Sequence, residues 1–357
     1  MRLHTFTSET TDPHERGTEL GTRFGALVRE TSARYVSHFE LLGIPLPRVR
    51  EVAEGSLAAL REWHPALATE SDAAAAAAGI EAWRVAAVGA RTEVLAAAHA
   101  PGECTTAVHA PAVGPPETIQ TWDWHAHLAP DGLLWGLRTA TRRLKVFTEF
   151  GAPAKIGVND AGLGVHFNIL RHTSDGAGPG VPVHAIARRV LEDAATVAEA
   201  CALAASATVS ASTVLTVATW DGARADAAAI ELSPAGVGVI RPREDGWIVH
   251  TNHFLDPVLA AGDTVAALDP TSTTLERFTH AEAMRNGMPG LSATQRAAAL
   301  CGTAGGAAPV CVRRSESEPL HEQWETLLTV ALDLSGFALD HRSGAPDAAG
   351  RDGLDRF

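Results

Sequence analysis

The chain is poor in cysteine and contains no long apolar run. Only four cysteines occur among its 357 residues, and none forms a CxxC pair. A disulfide framework and a structural zinc site are therefore not expected. No stretch of 18 apolar residues exists, which argues against a transmembrane helix. Residues 1–12 turn polar at once and lack the apolar centre of a signal peptide, so we expect a cytoplasmic protein.

Basic residues are outnumbered as well. The chain has 29 lysines and arginines against 42 aspartates and glutamates, which gives a formal net charge of −13. Nucleic acids and anionic membranes are bound by basic surfaces, so neither partner is expected. The charged share, 20%, is too small and too mixed in sign for a disordered chain. Composition and charge do not exclude a small polar substrate or a homo-oligomer.

The first hundred residues are patterned as helices. Asp12, Pro13 and Glu15 supply an N-cap, a first-turn proline and a capping-box acid. Apolar residues then recur at helical spacing. Further helices fit residues 49–60 and 73–94, where dense alanine favours helix and allows close helix packing.

Beyond residue 102 the pattern changes to short strands. A hairpin fits residues 104–124, with a Pro/Gly turn at 111–116. Helices fit 182–205, 272–285 and 292–301. The other β-type runs are 133–140, 144–150, 155–159, 163–170, 214–220, 227–233, 236–240, 247–253, 308–314 and 326–334. This order predicts an α+β fold in which helices cover stacked sheets.

Cys104 lies where the helical region stops and the sheet begins. If the peptide bond before it broke, its free α-amine could act as the base for its own thiol. The same thiol could break that bond by an N-to-S acyl shift. The alternative is an inert buried thiol, the commoner role of a cysteine in a strand and the one we expect for Cys201, Cys301 and Cys311.

Seven blocks of sequence support the first interpretation of Cys104. They are ARTEV (90–94), GECTTAV (102–108), QTWDWH (120–125), GVNDAGLGVHFNIL (157–170), GVPVHAIARRVLE (180–192), ELSP (231–234) and HTNHF (250–254). In this order they resemble the acyl-coenzyme A:isopenicillin N acyltransferase family, which are autoproteolytic N-terminal nucleophile (Ntn) hydrolases. The resemblance runs from the first helix to about residue 340.

The resemblance implies an αββα sandwich that cuts itself before the nucleophile. Residues 1–103 would be the helical α subunit, 104–340 the catalytic core of the β subunit and 341–357 a flexible tail. Cys104 matches the nucleophile, Asp123 an acid near the nucleophile's amine, Asn252 the oxyanion-hole asparagine and Ser233 a serine implicated in processing. The cleaved subunits would stay together as a heterodimer.

Two positions depart from the family pattern. The family commonly has glycine directly before the cysteine, whereas this chain has Glu103. A carboxylate there can alter cleavage and raise the thiol's pKa by repelling a thiolate. The penicillin-biosynthetic enzyme has a Ser-Arg pair where this chain has Glu322-Gln323, and Arg313 and Arg314 are only loose substitutes for that cation.

The resemblance implies that a thioester forms on Cys104 and is released by water or by an amine. We favour water, which makes the protein an amidohydrolase of a small N-acyl amine. Release by an amine would make it an acyltransferase, although no basic cluster for coenzyme A phosphates stands out. A non-catalytic binding member of the fold is the third hypothesis. No cofactor and no metal are expected.

The residues around these motifs are candidates for the substrate pocket. Taken alone, Trp122 and Trp124 are explained by packing in the core. His166 and Asn168 share one face of a strand, which suits a hydrogen-bonded pair. The pocket candidates are Thr105, Trp122, Trp124, His125, His166 and Asn168.

A metal-dependent amidohydrolase is the rival hypothesis. Asp123, His125 and His127 would place two imidazoles on one strand face, with His250 and His253 as further ligands. The repeating β/α order of such a barrel is missing from the sequence.

Overall fold

The computed structural model describes residues 1–96, 103–176, 178–265 and 272–357. Helix α1 begins at the predicted cap, because the Asp12 carboxylate accepts the backbone N–H of Glu15 at 2.8 Å. Prolines also stand in the first turns of the next two helices. The N-terminal helices are α1 (Pro13–Leu41), α2 (Leu46–Trp63), α3 (Pro65–Ala78), α4 (Ala82–Gly89) and α5 (Arg91–Leu95).

Two sheets form the centre of the fold. The large sheet has the order β1-β4-β5-β6-β7-β8-β9-β10, and the small sheet has the order β11-β2-β3-β12-β13-β14. All pairs are antiparallel except β1 with β4. The strands are β1 (Arg2–Ser8), β2 (Glu103–His109), β3 (Glu117–Trp124), β4 (Asp131–Arg138), β5 (Arg143–Thr148), β6 (Ile156–Asn159), β7 (Leu163–Ile169), β8 (Thr213–Trp220), β9 (Ala225–Ser233), β10 (Gly236–Ile240), β11 (Trp247–His250), β12 (Glu325–Asp333), β13 (Ala338–Ser343) and β14 (Asp355–Arg356).

Helices cover the outer faces of both sheets, so the layers follow the predicted αββα order. Helices α6 (Val183–Asp193) and α7 (Val197–Ala205) pack on the large sheet together with the N-terminal helices. Helices α8 (Thr274–Met284), α9 (Ala293–Cys301) and α10 (Pro346–Asp352) pack on the small sheet over a second apolar cluster. Within the described ranges, no helix is both long and apolar enough to cross a membrane.

A glycine ridge explains the alanine-rich stretch. Gly17, Gly21 and Gly25 of α1 face α3, where a Cβ on Gly17 would come within 2.1 Å of the Glu70 carbonyl oxygen. At Gly21 the same added atom would lie 2.4 Å from the carbonyl oxygen of Ala74. The backbones of α1 and α3 therefore touch, which only small residues on both helices permit.

The structure differs from the sequence predictions in several places, and the helix expected over 73–94 is one of them, because α3, α4 and α5 divide it. The polar first residues form β1, an edge strand of the large sheet, so the segment 1–103 is not purely helical. The helix expected over 182–205 is split at Thr196, which caps α7 with a capping box. Residues 308–314 form turns and irregular chain, although APVCVRR suits a strand by propensity.

A further difference is the C-terminal tail. Residues 341–357 hold the end of β13, then α10 and β14, where flexible chain was expected. Arg356 joins this end to the small sheet through ion pairs with Asp333 and Asp340, at 2.5 and 3.0 Å. Ala349 is fully buried against α9. The Gly, Asp and Arg residues of this segment therefore form turns and ion pairs rather than flexible chain.

Candidate active site

Cys104 is the second residue of β2, at the end of the small sheet nearest the N-terminal helices. Its side chain is 2% exposed. In the ladder it stands opposite Trp122 of β3, so both side chains point into the space between the sheets. The hairpin predicted over 104–124 is confirmed, and it presents the thiol on the inner face.

Both polar groups of the Cys104 backbone are held by side chains. Its N–H donates to Asn252 Oδ1 at 2.9 Å. Its carbonyl accepts from Arg277 Nη1 at 2.6 Å and from Asn168 Nδ2 at 3.2 Å. Arg277 Nη2 also donates to Asn252 Oδ1, at 2.9 Å, so the three side chains form one network around the cysteine.

Asn252 lies in the HTNHF block just after β11. Its Nδ2 donates to the Ile169 carbonyl at 2.8 Å, and its backbone N–H donates to Thr274 Oγ1 at 2.9 Å. The asparagine therefore meets the Cys104 nitrogen with its oxygen, whereas the oxyanion-hole role expected for it uses the hydrogens of its amide nitrogen. One Nδ2 hydrogen remains beyond the bond to Ile169, since the amide has two donors.

Arg277 was missed at the sequence level. It stands on α8, fully buried, and reaches Thr105 Oγ1 at 3.0 Å as well as the Cys104 carbonyl. A single arginine in a predicted helix carries no sequence signal of its own. Arg313, one of the cations considered instead, lies far out on the surface, in an ion pair with Asp347 at 2.6 Å.

A polar brace ties the two sheets together behind Cys104. Asn168 Oδ1 accepts from Thr106 Oγ1 at 2.7 Å and from Gln120 Nε2 at 3.2 Å. His166 Nδ1 lies 2.9 Å from Gln120 Oε1, and burial lowers the pKa of His166 to about 3. His166 and Asn168 share a strand face as predicted, and Asn168 directly supports the cysteine backbone.

Asp123 is buried on the opposite face of β3 from Trp122. Its Oδ1 accepts the Thr326 hydroxyl at 2.6 Å, and in the ladder it stands opposite residue 103. The negative charge of Asp123 raises the pKa of the Cys104 thiol. A hydrogen bond from the Asp123 backbone to the Cys104 side chain lowers the same pKa. The acid is thus adjacent to the peptide bond between residues 103 and 104.

Burial dominates the electrostatics of the nucleophile candidate. It raises the pKa of the Cys104 thiol to about 12, while Lys155 and Arg277 oppose that rise. A thiol enclosed in this way is largely neutral near pH 7. Any activation therefore has to come from nearby cations, from the α-amine or from hydration of the site.

A buried contact between Glu231 and His250 fixes the loop that carries Asn252. Glu231 Oε1 lies 2.7 Å from His250 Nε2, and the same carboxylate accepts the backbone N–H groups of Leu255 and Asp256 at 2.7 and 3.0 Å. Glu231 belongs to the ELSP block. The motif pointed to Ser233 in that block and gave no sign of this carboxylate.

Ser233 is outside the Cys104 network among the described residues. Its Oγ lies 3.2 Å from Ser174 Oγ and accepts the backbone N–H of Ala235 at 3.2 Å. The structure therefore brings Cys104, Asp123 and Asn252 together, whereas Ser233, the last residue of β9, lies against Ser174.

The candidate pocket residues divide into two groups. Thr105 and Trp122 contact the cysteine network directly, whereas Trp124 donates its Nε1–H to the Tyr35 hydroxyl of α1 at 2.8 Å. His125 lies beyond the end of β3, with Nδ1 2.8 Å from the Gln323 carbonyl oxygen. Gln323, half of the pair that replaces the family's Ser-Arg, thus supports β3 through its backbone.

The rival metal-site hypothesis gains no support from the geometry. In the parts of the chain that the structure covers, no group of three or more His, Cys, Asp or Glu side chains is placed to hold a metal ion. His125 and His127 follow β3 and cluster with His38 of α1, with tilted rings whose centroids are 5.0–5.5 Å apart. His250 is paired with Glu231.

Comparisons with known proteins agree with the sequence motifs. The model of the family "Acyl-coenzyme A:6-aminopenicillanic acid acyl-transferase" matches residues 116–347. The chain is 28% identical over 204 residues to the acyl-coenzyme A:6-aminopenicillanic-acid-acyltransferase 40 kDa form of Emericella nidulans, a match covering 57% of this chain and 54% of that protein. The chain thus spans about half the length of this relative.

Two solved structures are similar to the chain at low identity. Penicillin V acylase from Agrobacterium tumefaciens has 18% identity and a TM-score of 0.46, over 67% of this chain and 83% of that chain. A mutant of the conjugated bile acid hydrolase from Clostridium perfringens has 12% identity and a TM-score of 0.49, over 71% and 92%.

Proposed function

Because the chain belongs to the acyl-coenzyme A:6-aminopenicillanic acid acyl-transferase family, we propose that it is a cysteine N-terminal nucleophile hydrolase of small N-acyl amines. The observation that carries the proposal is the pair of side-chain hydrogen bonds to the Cys104 backbone. Asn252 holds its nitrogen at 2.9 Å, and Arg277 holds its carbonyl at 2.6 Å. A backbone fixed on both sides of the thiol suits a nucleophile that must attack at a defined angle.

The first step of the proposed mechanism is self-cleavage. The Cys104 sulfur attacks the carbonyl carbon of residue 103, the C–N bond breaks, and the Cys104 nitrogen takes up a proton. Water then hydrolyses the thioester, leaving a carboxylate on residue 103 and a free α-amine on Cys104. The Asn252 oxygen, which accepts the Cys104 N–H, is suited to bind the amine that forms.

The second step acts on the substrate. The α-amine accepts the thiol proton, the sulfur attacks the substrate's amide carbonyl, and the proton passes to the leaving amine. The remaining Nδ2 hydrogen of Asn252 is the donor that we assign to the oxyanion. Asp123, buried beside the bond at 103–104, keeps the amine protonatable and oriented. Water releases the acyl group from the thioester.

Contacts across the cut site support a heterodimer after cleavage. Strand β1 is hydrogen-bonded to β4 within the large sheet. The buried Glu70 of α3 accepts from Arg188 of α6, at 3.0 Å, and from Arg16 of α1, at 2.5 Å. The N-terminal segment thus shares a core and a buried ion-pair network with the rest, and we expect it to stay bound after the chain is cut.

Trapping of the acyl group tests the proposal. The protein is incubated with a panel of N-acyl amines, and the covalent adduct is located by mass. We expect an acyl thioester on Cys104 and none on the Cys104→Ala protein, while Cys201→Ser, which changes a partly exposed cysteine, keeps full turnover. Turnover by Cys104→Ala would refute the proposal.

The family's name favours acyl transfer as the second candidate. The same experiment, repeated with an added amine acceptor and a coenzyme A thioester donor, separates the two functions. Hydrolysis predicts free acid as the product at all acceptor concentrations. Transfer predicts that a new amide replaces the free acid as the acceptor concentration rises.

A further inference from the structure

Lysine is rare in this chain, and one of its two lysines is buried near the site. Of the 29 basic residues only Lys145 and Lys155 are lysines, and the others are arginines. Lys155 is 1% exposed and stands directly before β6. Arginine stays charged in proteins, whereas a buried lysine can exchange its proton. This position therefore uses a cation whose charge is adjustable.

The Lys155 ammonium is enclosed by aromatic rings. Its Nζ lies 4.7 Å from the ring centroid of Trp122, 5.0 Å from that of Phe167 and 6.0 Å from that of Trp124. Among the described residues, no hydrogen-bond acceptor contacts Nζ. Aromatic faces attract a cation but do not neutralise it. The cage therefore holds a positive charge that lacks a bound anion.

The carboxylate whose charge acts on Lys155 already has its own partners. Glu149, just after β5, pairs with Arg91 of α5 at 2.5 Å and accepts the Tyr35 hydroxyl. Burial and Arg91 lower the pKa of Lys155 to about 7, whereas Glu149 and Cys104 raise it. His184 of α6, which stacks on Phe167, is neutral because burial keeps its pKa well below 6.5.

Lys155 and Cys104 share a neighbour. Trp122 stands directly opposite Cys104 in the ladder, and the Lys155 Nζ lies over the ring of the same tryptophan. Burial raises the pKa of the Cys104 thiol, and Lys155 opposes that rise more strongly than Arg277 does. An ammonium without an anion thus lies beside a thiol that needs a cation in order to ionise.

We propose that the Lys155 ammonium is the counter-charge of the Cys104 thiolate, in the uncut chain as well as in the mature enzyme. The proposal rests on the proposed function, which makes Cys104 the nucleophile. In the uncut chain the Cys104 nitrogen is an amide and accepts no proton, so the thiolate depends on nearby cations. The thiol proton leaves to water or to a neutral Lys155 amine, and both routes end in a thiolate beside an ammonium.

Alkylation of Cys104 tests the proposal directly. The rate of carbamidomethylation by iodoacetamide is followed from pH 6 to 10 by the mass of the Cys104 peptide, so that other cysteines do not contribute. Lys155→Met should slow the reaction about tenfold at pH 7, where part of the Lys155 amine is charged in the wild type because its pKa is about 7. Lys155→Arg should restore most of the rate. An alkylation rate of Lys155→Met at pH 7 equal to that of the wild type would overturn the proposal.

Lys145→Met is the matched control. The Nζ of Lys145 also lies over two aromatic rings, those of Phe337 and Phe357, at 5.3 and 5.4 Å. These rings differ from the three that surround Lys155. We expect it to alkylate like the wild type. The intact mass of each sample reports self-cleavage separately, so an uncut wild-type chain would contradict the proposed function and leave the effect of Lys155 on the thiol measurable.

A second measurement does not depend on the folding of any Lys155 variant. Selective ¹³C labelling of lysine gives only two Cε signals, and their pH titrations are compared in Cys104→Asp and Cys104→Asn. A fixed negative charge at the thiolate position should raise the Lys155 midpoint by about 1 pH unit and leave Lys145 unchanged. Equal Lys155 midpoints in the two variants would overturn the proposal.

Discussion

At the scale of single residues, the site depends on how the Cys104 backbone is held. Arg277 joins the Cys104 carbonyl to Asn252 through one guanidinium, a fork that an ammonium does not reproduce. Asn168 adds a second donor to the same carbonyl. Substitutions at these positions should therefore change reactivity more than they change stability.

We expect Arg277→Lys to slow self-cleavage and turnover by tenfold to about a hundredfold. The reason is the loss of a charge-assisted hydrogen bond, which is worth about 1.5–3 kcal/mol. The rate constants are measured by intact mass and by product release. Arg285→Lys, at the end of the same helix and paired with Asp245 at 2.7 Å, is the control and should react like the wild type. Equal rates in the two variants would contradict the role of Arg277.

Asn252→Ala should lower kcat by about a hundredfold or more, since loss of one oxyanion donor costs about 3–4 kcal/mol. The thermal midpoint of unfolding of Asn252→Ala should fall far less than its loss of kcat would suggest if the variant were simply unfolded. The exposed Asn286→Ala serves as the control. Unchanged kcat in Asn252→Ala would remove this residue from the mechanism.

Single residues were also where sequence analysis was least complete. Cys104, Asp123 and Asn252 stand in recognisable blocks, and the structure brings all three together. Arg277 lies on α8, and Lys155 lies directly before β6. Both reach the site through long side chains, so the sequence around each residue contains no motif that predicts its role. Ser233 was chosen for its block, yet Glu231 is the residue there that braces the Asn252 loop.

At the scale of elements, local signals predicted most helices and strands. The Asp12 cap, the hairpin over 104–124 and the strand over 326–334 are confirmed, because capping, turn chemistry and alternation act within a few residues. Strand β1 escaped prediction because a polar edge strand takes its stability from its partner β4. The run 308–314 was predicted from propensity alone, and it forms turns and irregular chain that meet β12 where the Thr326 N–H donates to the Val312 carbonyl at 3.1 Å.

The contact between α1 and α3 gives a prediction at this scale. We expect Gly21→Ala to lower the free energy of unfolding by about 1–3 kcal/mol, because its new Cβ would meet the Ala74 carbonyl at 2.4 Å. This loss exceeds the gain in helix propensity, which is about 0.5–1 kcal/mol. Urea denaturation measures the difference.

Gly287→Ala is the matched control, because no atom of the described residues lies within 4 Å of its added Cβ. Its free energy of unfolding should stay within about 0.5 kcal/mol of the wild type. A Gly21→Ala protein as stable as Gly287→Ala would show that the two helices have room to separate.

At the scale of the whole molecule, buried neutral histidines link stability to pH. Burial lowers the pKa of His38 and His166 to about 3 and that of His127 and His253 to about 4, from 6.5. The unfolded chain therefore binds more protons below pH 6.5, and the stability of the fold decreases as the pH falls from 6.5 towards 4. Glu93, whose pKa burial raises to about 7, and Asp175, whose pKa burial also raises, oppose this trend.

We expect the free energy of unfolding by urea to be clearly lower at pH 5 than at pH 7. His166→Gln, which keeps a polar group near Gln120, should reduce this difference, while the exposed His14→Gln should leave it unchanged. Equal stability at pH 5 and pH 7 would mean that the buried histidines gain protons without loss of structure.

The central claim is that Cys104 becomes an N-terminal residue, and the intact mass of freshly purified, denatured protein tests it most directly. Cleavage before Cys104 divides the 37.3 kDa chain into residues 1–103 and 104–357, with masses of about 11 and 27 kDa in proportion to length. We predict these two masses, and a single mass for Cys104→Ala. A single mass of 37.3 kDa for the wild-type protein after prolonged incubation would contradict the claim.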